Sequence, residues 1–272
     1  MAPPITPVRM NHLNAVVEDF PASAARLGAL FGADFLLDLP QAEWHAGLVD
    51  VGRVIFELFA PPSFLLNARY GPHYLGVEYQ ADMAVVRAAI ADHGIRIARD
   101  IGVALHTHPA DTLGVAFEFY DGQFHDNDWP LLGRKMHPAS HWLCHHPLGL
   151  MGLKHYTIAT ADLTKAAAFL ESFLGATRVY DEARPDLAAQ ALGYHCGDGI
   201  IELQAPTGIG PLHSHLTRWG EGIRSTVFAV ANLAVARAYF LERGITPIAG
   251  STADSFALPP EATGGVLFEF AV

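Results

Sequence analysis

Short apolar runs alternate along the chain with stretches whose apolar residues recur at helical spacing. Between Leu163 and Leu174, for instance, Ala166, Phe169, Leu170 and Phe173 share one helical face. Four such stretches begin on Asp or Asn and stop at Gly: Asp19 to Gly32, Asp82 to Gly94, Asp162 to Gly175 and Asn232 to Gly244. Asp and Asn side chains accept from the open amides of a first helical turn, and Gly takes the left-handed conformation that ends a helix. A strand-like run precedes each helix and further runs follow it, the last of them carrying a lone glutamate. These are Phe56-Glu57-Leu58, Phe117-Glu118-Phe119, Ile201-Glu202-Leu203 and Phe268-Glu269-Phe270. The pattern predicts strand, helix and about three strands, repeated four times.

Glutamate is a poor strand residue, and burying its carboxylate without a partner costs several kcal/mol or forces it to take up a proton. One such residue would pass as a solvent-facing position on an edge strand. Four at matching places point to a shared carboxylate pocket, most simply one holding a metal.

The chain also repeats on a longer period. His12 and His155 are 143 residues apart, Glu57 and Glu202 are 145 apart, and Glu118 and Glu269 are 151 apart. At that last offset Pro109, Thr112 and Gly114 fall on Pro260, Thr263 and Gly265. The chain is thus a tandem of similar halves, expected over residues 8–122 and 151–272, with residues 123–150 as the linker. The linker region carries Pro130, Pro138 and Pro147 with His125, His137, His141, His145 and His146. Their irregular spacing favours surface histidines over a metal site, although His145 and His146 are near enough in sequence to reach over a pocket.

A length of 272 residues agrees with two domains, and 51% hydrophobic residues suffice for packed cores. The net charge of −11 disfavours nucleic acid and acidic membranes as partners, because phosphate binding relies on clustered Lys and Arg. Only Cys144 and Cys196 occur, so no disulfide framework is indicated and a reducing compartment is expected. No apolar run approaches the roughly 20 residues of a membrane helix, which makes a cytoplasmic protein the default expectation. A small-molecule substrate is the expected partner, with a homodimer as the expected form of any self-association.

The His12 segment HLNAVVED, the His155 segment HYTIATAD, the strand glutamates and the paired Pro-Thr-Gly-Glu segments together resemble the vicinal oxygen chelate superfamily. That superfamily includes glyoxalase I, methylmalonyl-CoA epimerase, extradiol dioxygenases and bleomycin resistance proteins. The resemblance covers nearly the whole chain outside the linker, and the Pro-Thr-Gly-Glu segments look most like the epimerase branch. It implies an α+β fold of four βαβββ modules, paired into two domains with cupped mixed sheets. It also implies that the first and last strands of each module supply one ligand each to a single divalent ion, Fe, Zn, Mn, Co or Ni.

Carried over residue by residue, the resemblance implies a metal site at His12, Glu57, His73 and Glu118, with Glu57 or Glu118 as the catalytic proton carrier. In the second half it implies His155, Glu202 and Glu269. At the start of the second module Tyr74 competes with His73 for the pocket, since neighbours on a strand face opposite ways. In the fourth module the matching position is Ser225, a poor ligand, and His195 faintly resembles a pocket histidine of the extradiol enzymes. Trp44, Trp129, Trp142 and Trp219 are candidates for pocket walls or core. Two pairings of the modules are open: first with second and third with fourth, or a swapped manner that joins His155 and Glu202 with Glu118. The function implied is a lyase or isomerase acting on a small oxygenated carbonyl substrate. An Fe(II)-dependent ring-cleaving dioxygenase and a non-catalytic small-molecule-binding protein are the alternatives.

Overall fold

In the computed structural model, which describes residues 2–40, 45–60, 71–125 and 135–272, the predicted units are four βαβββ modules. The first comprises β1 (Arg9–Val16), α1 (Phe20–Phe31), β2 (Asp34–Pro40), β3 (His45–Val51) and β4 (Val54–Ala60). The second comprises β5 (His73–Gln80), α2 (Met83–His93), β6 (Ile97–Asp100), β7 (Ala104–Thr107) and β8 (Ala116–Tyr120). The third comprises β9 (Leu150–Ala159), α3 (Leu163–Leu174), β10 (Thr177–Arg184), β11 (Ala189–Cys196) and β12 (Gly199–Pro206). A short helix, α4 (Pro211–Trp219), leads into the fourth: β13 (Gly222–Val230), α5 (Leu233–Leu241), β14 (Ile248–Ala249), β15 (Ser255–Ala257), α6 (Pro260–Thr263) and β16 (Leu267–Ala271). No helix among the described residues is long and apolar enough to cross a membrane.

The helix boundaries follow the predicted chemistry. Asp19, Asp82, Asp162 and Asn232 accept from Ala22 N, Ala84 N, Lys165 N and Val235 N at 2.7, 2.8, 2.9 and 3.1 Å. Gly32, Gly94 and Gly175 close the first three helices at φ of 65°, 64° and 64°. The fourth ends on Glu242 in right-handed geometry, with Gly244 two residues further on.

Two eight-stranded mixed sheets result, ordered β2-β3-β4-β1-β5-β8-β7-β6 and β10-β11-β12-β9-β13-β16-β15-β14. In every module the last strand runs parallel to the first, and its glutamate faces a fixed partner: Asn14 for Glu57, Glu78 for Glu118, Thr157 for Glu202 and Val227 for Glu269.

Packing divides the chain into two compact units, one of residues 1–12, 75–123 and 155–224, the other of residues 13–74, 124–154 and 225–272. The sheets therefore pair modules in tandem, whereas the compact cores combine the second module with the third and the first with the fourth. In the former unit Phe117 and Phe119 of β8 pack on Phe169 and Phe173 of α3, at 6.2 and 6.1 Å between ring centroids. In the latter, Phe268 of β16 meets Phe31 of α1 at 5.2 Å, and Phe270 meets Phe240 of α5 at 5.1 Å. Alternation along a strand then turns Glu118 and Glu269, each between two such phenylalanines, to the opposite face of its sheet. The apolar-Glu-apolar pattern is thus a strand with a helix packed on one side and a carboxylate aimed at the other.

Candidate metal centre

Three of the four central strands around β5 deliver one buried donor each. His12 lies on β1, Glu78 on β5 and Glu118 on β8, and one ligand atom from each falls within 4.8 Å of the others. Among the described residues this is the one group of three or more His, Cys, Asp or Glu side chains so placed. The parallel register sets Glu78 directly beside Glu118, and β5 is the neighbour of β1. His12 Nε2 is 3.3 Å from Glu78 Oε1. On the far side, His106 of β7 stands opposite Glu118 in register, with its Nε2 3.1 Å from Glu118 Oε1. Asn11 Nδ2 donates to Glu78 Oε1 at 2.9 Å and to Gly122 O at 3.1 Å, which ties the carboxylate to the backbone.

Burial pushes the Glu78 carboxyl above its ordinary range, the charge of His12 opposes this, and neighbouring Glu118 pushes it further up. Two carboxylates side by side in a water-poor pocket are costly unless a cation or a proton joins them. One imidazole nitrogen and two carboxylate oxygens are hard and borderline donors that suit a divalent ion, and three protein ligands leave coordination positions open. Asn11 and His106 are the outer partners that such ligands need to hold their orientation. The residues present fit the ion.

The sequence-based candidates are distributed unevenly. His12 and Glu118 are in the group. Glu57 is half-buried in the other compact unit, beside Asn14 in register, and does not belong to it. His73 does not belong to it either, and its Nδ1 is 2.8 Å from Gly71 O. Alternation on β5 puts Tyr74, Gly76 and Glu78 on one face and His73 on the other. Tyr74 is buried and donates to Leu267 O at 3.1 Å.

The register explains the substitution of ligand. His12, His155 and Ser225 each lie two residues before the partner of their module's glutamate. In the second module that position is Gly76, where a Cβ would come 2.0 Å from Ala116 O. No side chain fits there, and the donor arrives two residues later as Glu78. Its signal was present in the sequence, since Val77-Glu78-Tyr79 has the apolar-Glu-apolar form of the other four. His106, between Leu105 and Thr107, carried no comparable mark.

In the second half His155 and Glu202 are buried, with His155 Nε2 3.8 Å from Glu202 Oε1. Glu202 also accepts from Arg184 Nη2 at 2.5 Å, Tyr180 O–H at 2.9 Å and Gln204 Nε2 at 2.6 Å. Burial alone would push its carboxyl up, but His155 and the Arg184 guanidinium outweigh burial and hold it below the usual range. Glu269 is buried in the other unit and accepts from Ser251 N at 2.8 Å. Ser225 is buried opposite Leu267 in register, and His195 is exposed on β11.

The linker histidines belong to the unit that lacks the group. His137 stacks on His141 at 3.9 Å, and His146 packs on Trp142 at 5.1 Å. Burial pushes the His146 imidazole down. Trp142 is core, Trp219 ends α4 beneath Arg218, and Trp44 and Trp129 lie outside the described residues.

Residues 152–270 match the family model of the Glyoxalase/Bleomycin resistance protein/Dioxygenase superfamily. The whole fold is similar to that of a mutant 4-hydroxymandelate synthase from Streptomyces coelicolor. The TM-score is 0.74 at 12% identity, over 97% of this chain and 92% of that one. A methylmalonyl-CoA epimerase from Mycobacterium tuberculosis is 27% identical over 49% of this chain and 94% of its own, with a TM-score of 0.43. No protein of curated function matches in sequence. Residues 152–270 therefore form a domain of the Glyoxalase/Bleomycin resistance protein/Dioxygenase superfamily, set in a chain of four βαβββ modules and two mixed sheets.

Proposed function

We propose that the chain is a divalent-metal-dependent lyase or isomerase of the glyoxalase and epimerase type, acting next to the carbonyl of a small oxygenated substrate. The observation that carries the reading is the buried convergence of His12, Glu78 and Glu118. These three would hold the ion, which when bound supplies a Lewis acid that polarises a carbonyl oxygen and stabilises enolate-like charge. Asn11 fixes Glu78 by its hydrogen bond to Oε1, so that carboxylate is a positioned ligand. Glu118 is the candidate proton carrier, because His106 Nε2 stands 3.1 Å from its Oε1 and can hold the carboxylate in place or take a proton from it. Burial of the whole row keeps water out and strengthens each of these contacts.

A ring-cleaving dioxygenase is the second reading, favoured by the second imidazole that His106 brings beside Glu118. Iron oxygenases of the facial type use two histidines and one carboxylate. The converging group here has one histidine and two carboxylates, which supports the first reading over the second.

The test is elemental analysis of protein purified without added metal or chelator, on the wild type and on His12→Ala and Glu78→Ala. Loss of about one equivalent per chain in both variants supports a three-ligand site. Folded variants that keep the full metal content of the wild type overturn it. A wild type that binds no ion even after reloading turns the reading to a non-catalytic small-molecule-binding protein.

A further inference from the structure

In the second half the buried pair His155 and Glu202 repeats the positions of His12 and Glu57, and a buried guanidinium stands beside it. Glu202 sits at the position of Glu57, and His155 at that of His12, two residues before the strand partner of its module's glutamate. We infer that Arg184 stands where the repeat leads one to expect a metal ion: its guanidinium is the built-in counter-charge of Glu202, and the His155/Glu202 pair takes no metal. This concerns the other half of the tandem and stands whether or not the first half binds an ion.

Three observations carry the inference. The first is that both Glu202 oxygens already accept from donors: Oε2 from Arg184 Nη2 and Tyr180 O–H, and Oε1 from Gln204 Nε2. A metal at Glu202 has to displace them. The second is the nature of the cation. Arg184 is buried, its Nη1 also donates to Glu182 Oε2 at 2.7 Å, and a guanidinium neither deprotonates nor offers a lone pair. An imidazole such as His12 can lose its proton and become a ligand, whereas Arg184 can only repel a second cation.

The third observation is that the surroundings are shaped for this arrangement. Tyr180, Gly193 and Glu202 lie in one row across β10, β11 and β12. A Cβ on Gly193 would come 2.1 Å from the Tyr180 ring, so glycine is what allows the ring to lie across and reach the carboxylate. The matching row in the first module is Leu37, Leu48 and Glu57, which places aliphatic side chains where the third module has a hydrogen-bond donor. The donor apparatus of Glu202 is therefore a feature of the third module and not a remnant of the repeat.

The decisive experiment removes the first site and then the guanidinium. His12→Ala protein, dialysed against Co(II) or Zn(II) and then freed of loose metal, should retain none. His12→Ala/Arg184→Met should gain about one equivalent per chain together with a metal-dependent rise in melting temperature, and a further Glu202→Gln should abolish both. His12→Ala/Arg184→Lys keeps a positive charge and should stay metal-free, which guards against a Met variant that fails to fold. The inference is overturned if His12→Ala retains an equivalent that disappears on His155→Ala or Glu202→Gln. It is equally overturned if the folded Arg184→Met protein gains nothing. Loss of the assigned function of the first half would show differently, as a wild type whose metal content does not respond to His12→Ala.

Discussion

Glu78 and Glu118 lie side by side in parallel register on β5 and β8, both buried, with an imidazole on each flank. The row His12, Glu78, Glu118, His106 thus alternates imidazoles outside and carboxylates inside. An apolar sheet face with two adjacent carboxylates is stable when a cation or a proton is present between them. On the proposed reading, ion binding and proton transfer are coupled in this row.

Metal content should therefore depend on Glu78 and not on Glu57, although Glu57 is the residue that the repeat singles out. Glu78→Ala removes one of three converging ligands and should lower metal affinity at least as much as loss of an outer partner, about 10- to 100-fold. Glu57→Ala should leave the stoichiometry intact. Competition with a fluorescent chelator measures both. Equal losses in the two variants would return Glu57 to the coordination shell.

Gly76 sets the register of this site. Replacing it with Ala drives a Cβ to 2.0 Å from Ala116 O and has to separate β5 from β8 at the strand pair that carries Glu78 and Glu118. The expected outcome is a loss of about 1–3 kcal/mol in urea unfolding together with weaker metal retention. A Gly76→Ala protein with wild-type stability would show that the backbone there yields easily.

The repeating architecture was legible because its signals are local and recur. The caps Asp19, Asp82, Asp162 and Asn232 and the Phe-Glu-Phe strands needed no knowledge of distant partners. Half of the candidate group was legible for the same reason, as His12 and Glu118 occupy the repeated positions. Glu78 and His106 depend on which residues stand opposite one another across β5, β8 and β7. A one-residue change in strand register moves a side chain to the other face, and that information is absent from any single strand. The exchange of partners in the compact units was equally hidden, because Phe117 and Phe169 meet across 52 residues of sequence and through aromatic packing that any buried phenylalanine would satisfy.

The core of the unit that holds the site contains a second polar pair. Tyr79 and Tyr156 hydroxyls lie 2.9 Å apart and fully buried, and Tyr79 also hydrogen-bonds to the Cys196 thiol. Removing one member of a buried hydrogen bond leaves the other unpaired, at about 1–3 kcal/mol. Tyr79→Phe strands the Tyr156 hydroxyl and should be the costlier single change, since after Tyr156→Phe the Tyr79 hydroxyl keeps Cys196. The double variant should cost less than the two singles together. Denaturant unfolding of the four proteins of this cycle measures the coupling. Additive losses would mean that the pair is not a unit.

The other unit stores a pH-dependent cost at Asp50, which faces Asp34 directly in register between β3 and β2. Burial pushes the Asp50 carboxyl up from 3.8 to about 7, Arg53 opposes the shift and Asp34 adds to it. The folded state therefore keeps a proton that the unfolded chain releases. Below the ordinary aspartate pKa both states are protonated and the residue is neutral to stability. As pH rises from there to about 7 folding loses stability, and above that the penalty is constant, at up to roughly 4 kcal/mol. Asp50→Asn has no proton to lose, so its stability relative to the wild type should climb across that interval and then level off. Urea midpoints of the two proteins from about pH 4 to about pH 8 test this. A difference that does not change with pH would show that Asp50 is ionised in the folded protein, with Arg53 rather than a proton balancing its charge.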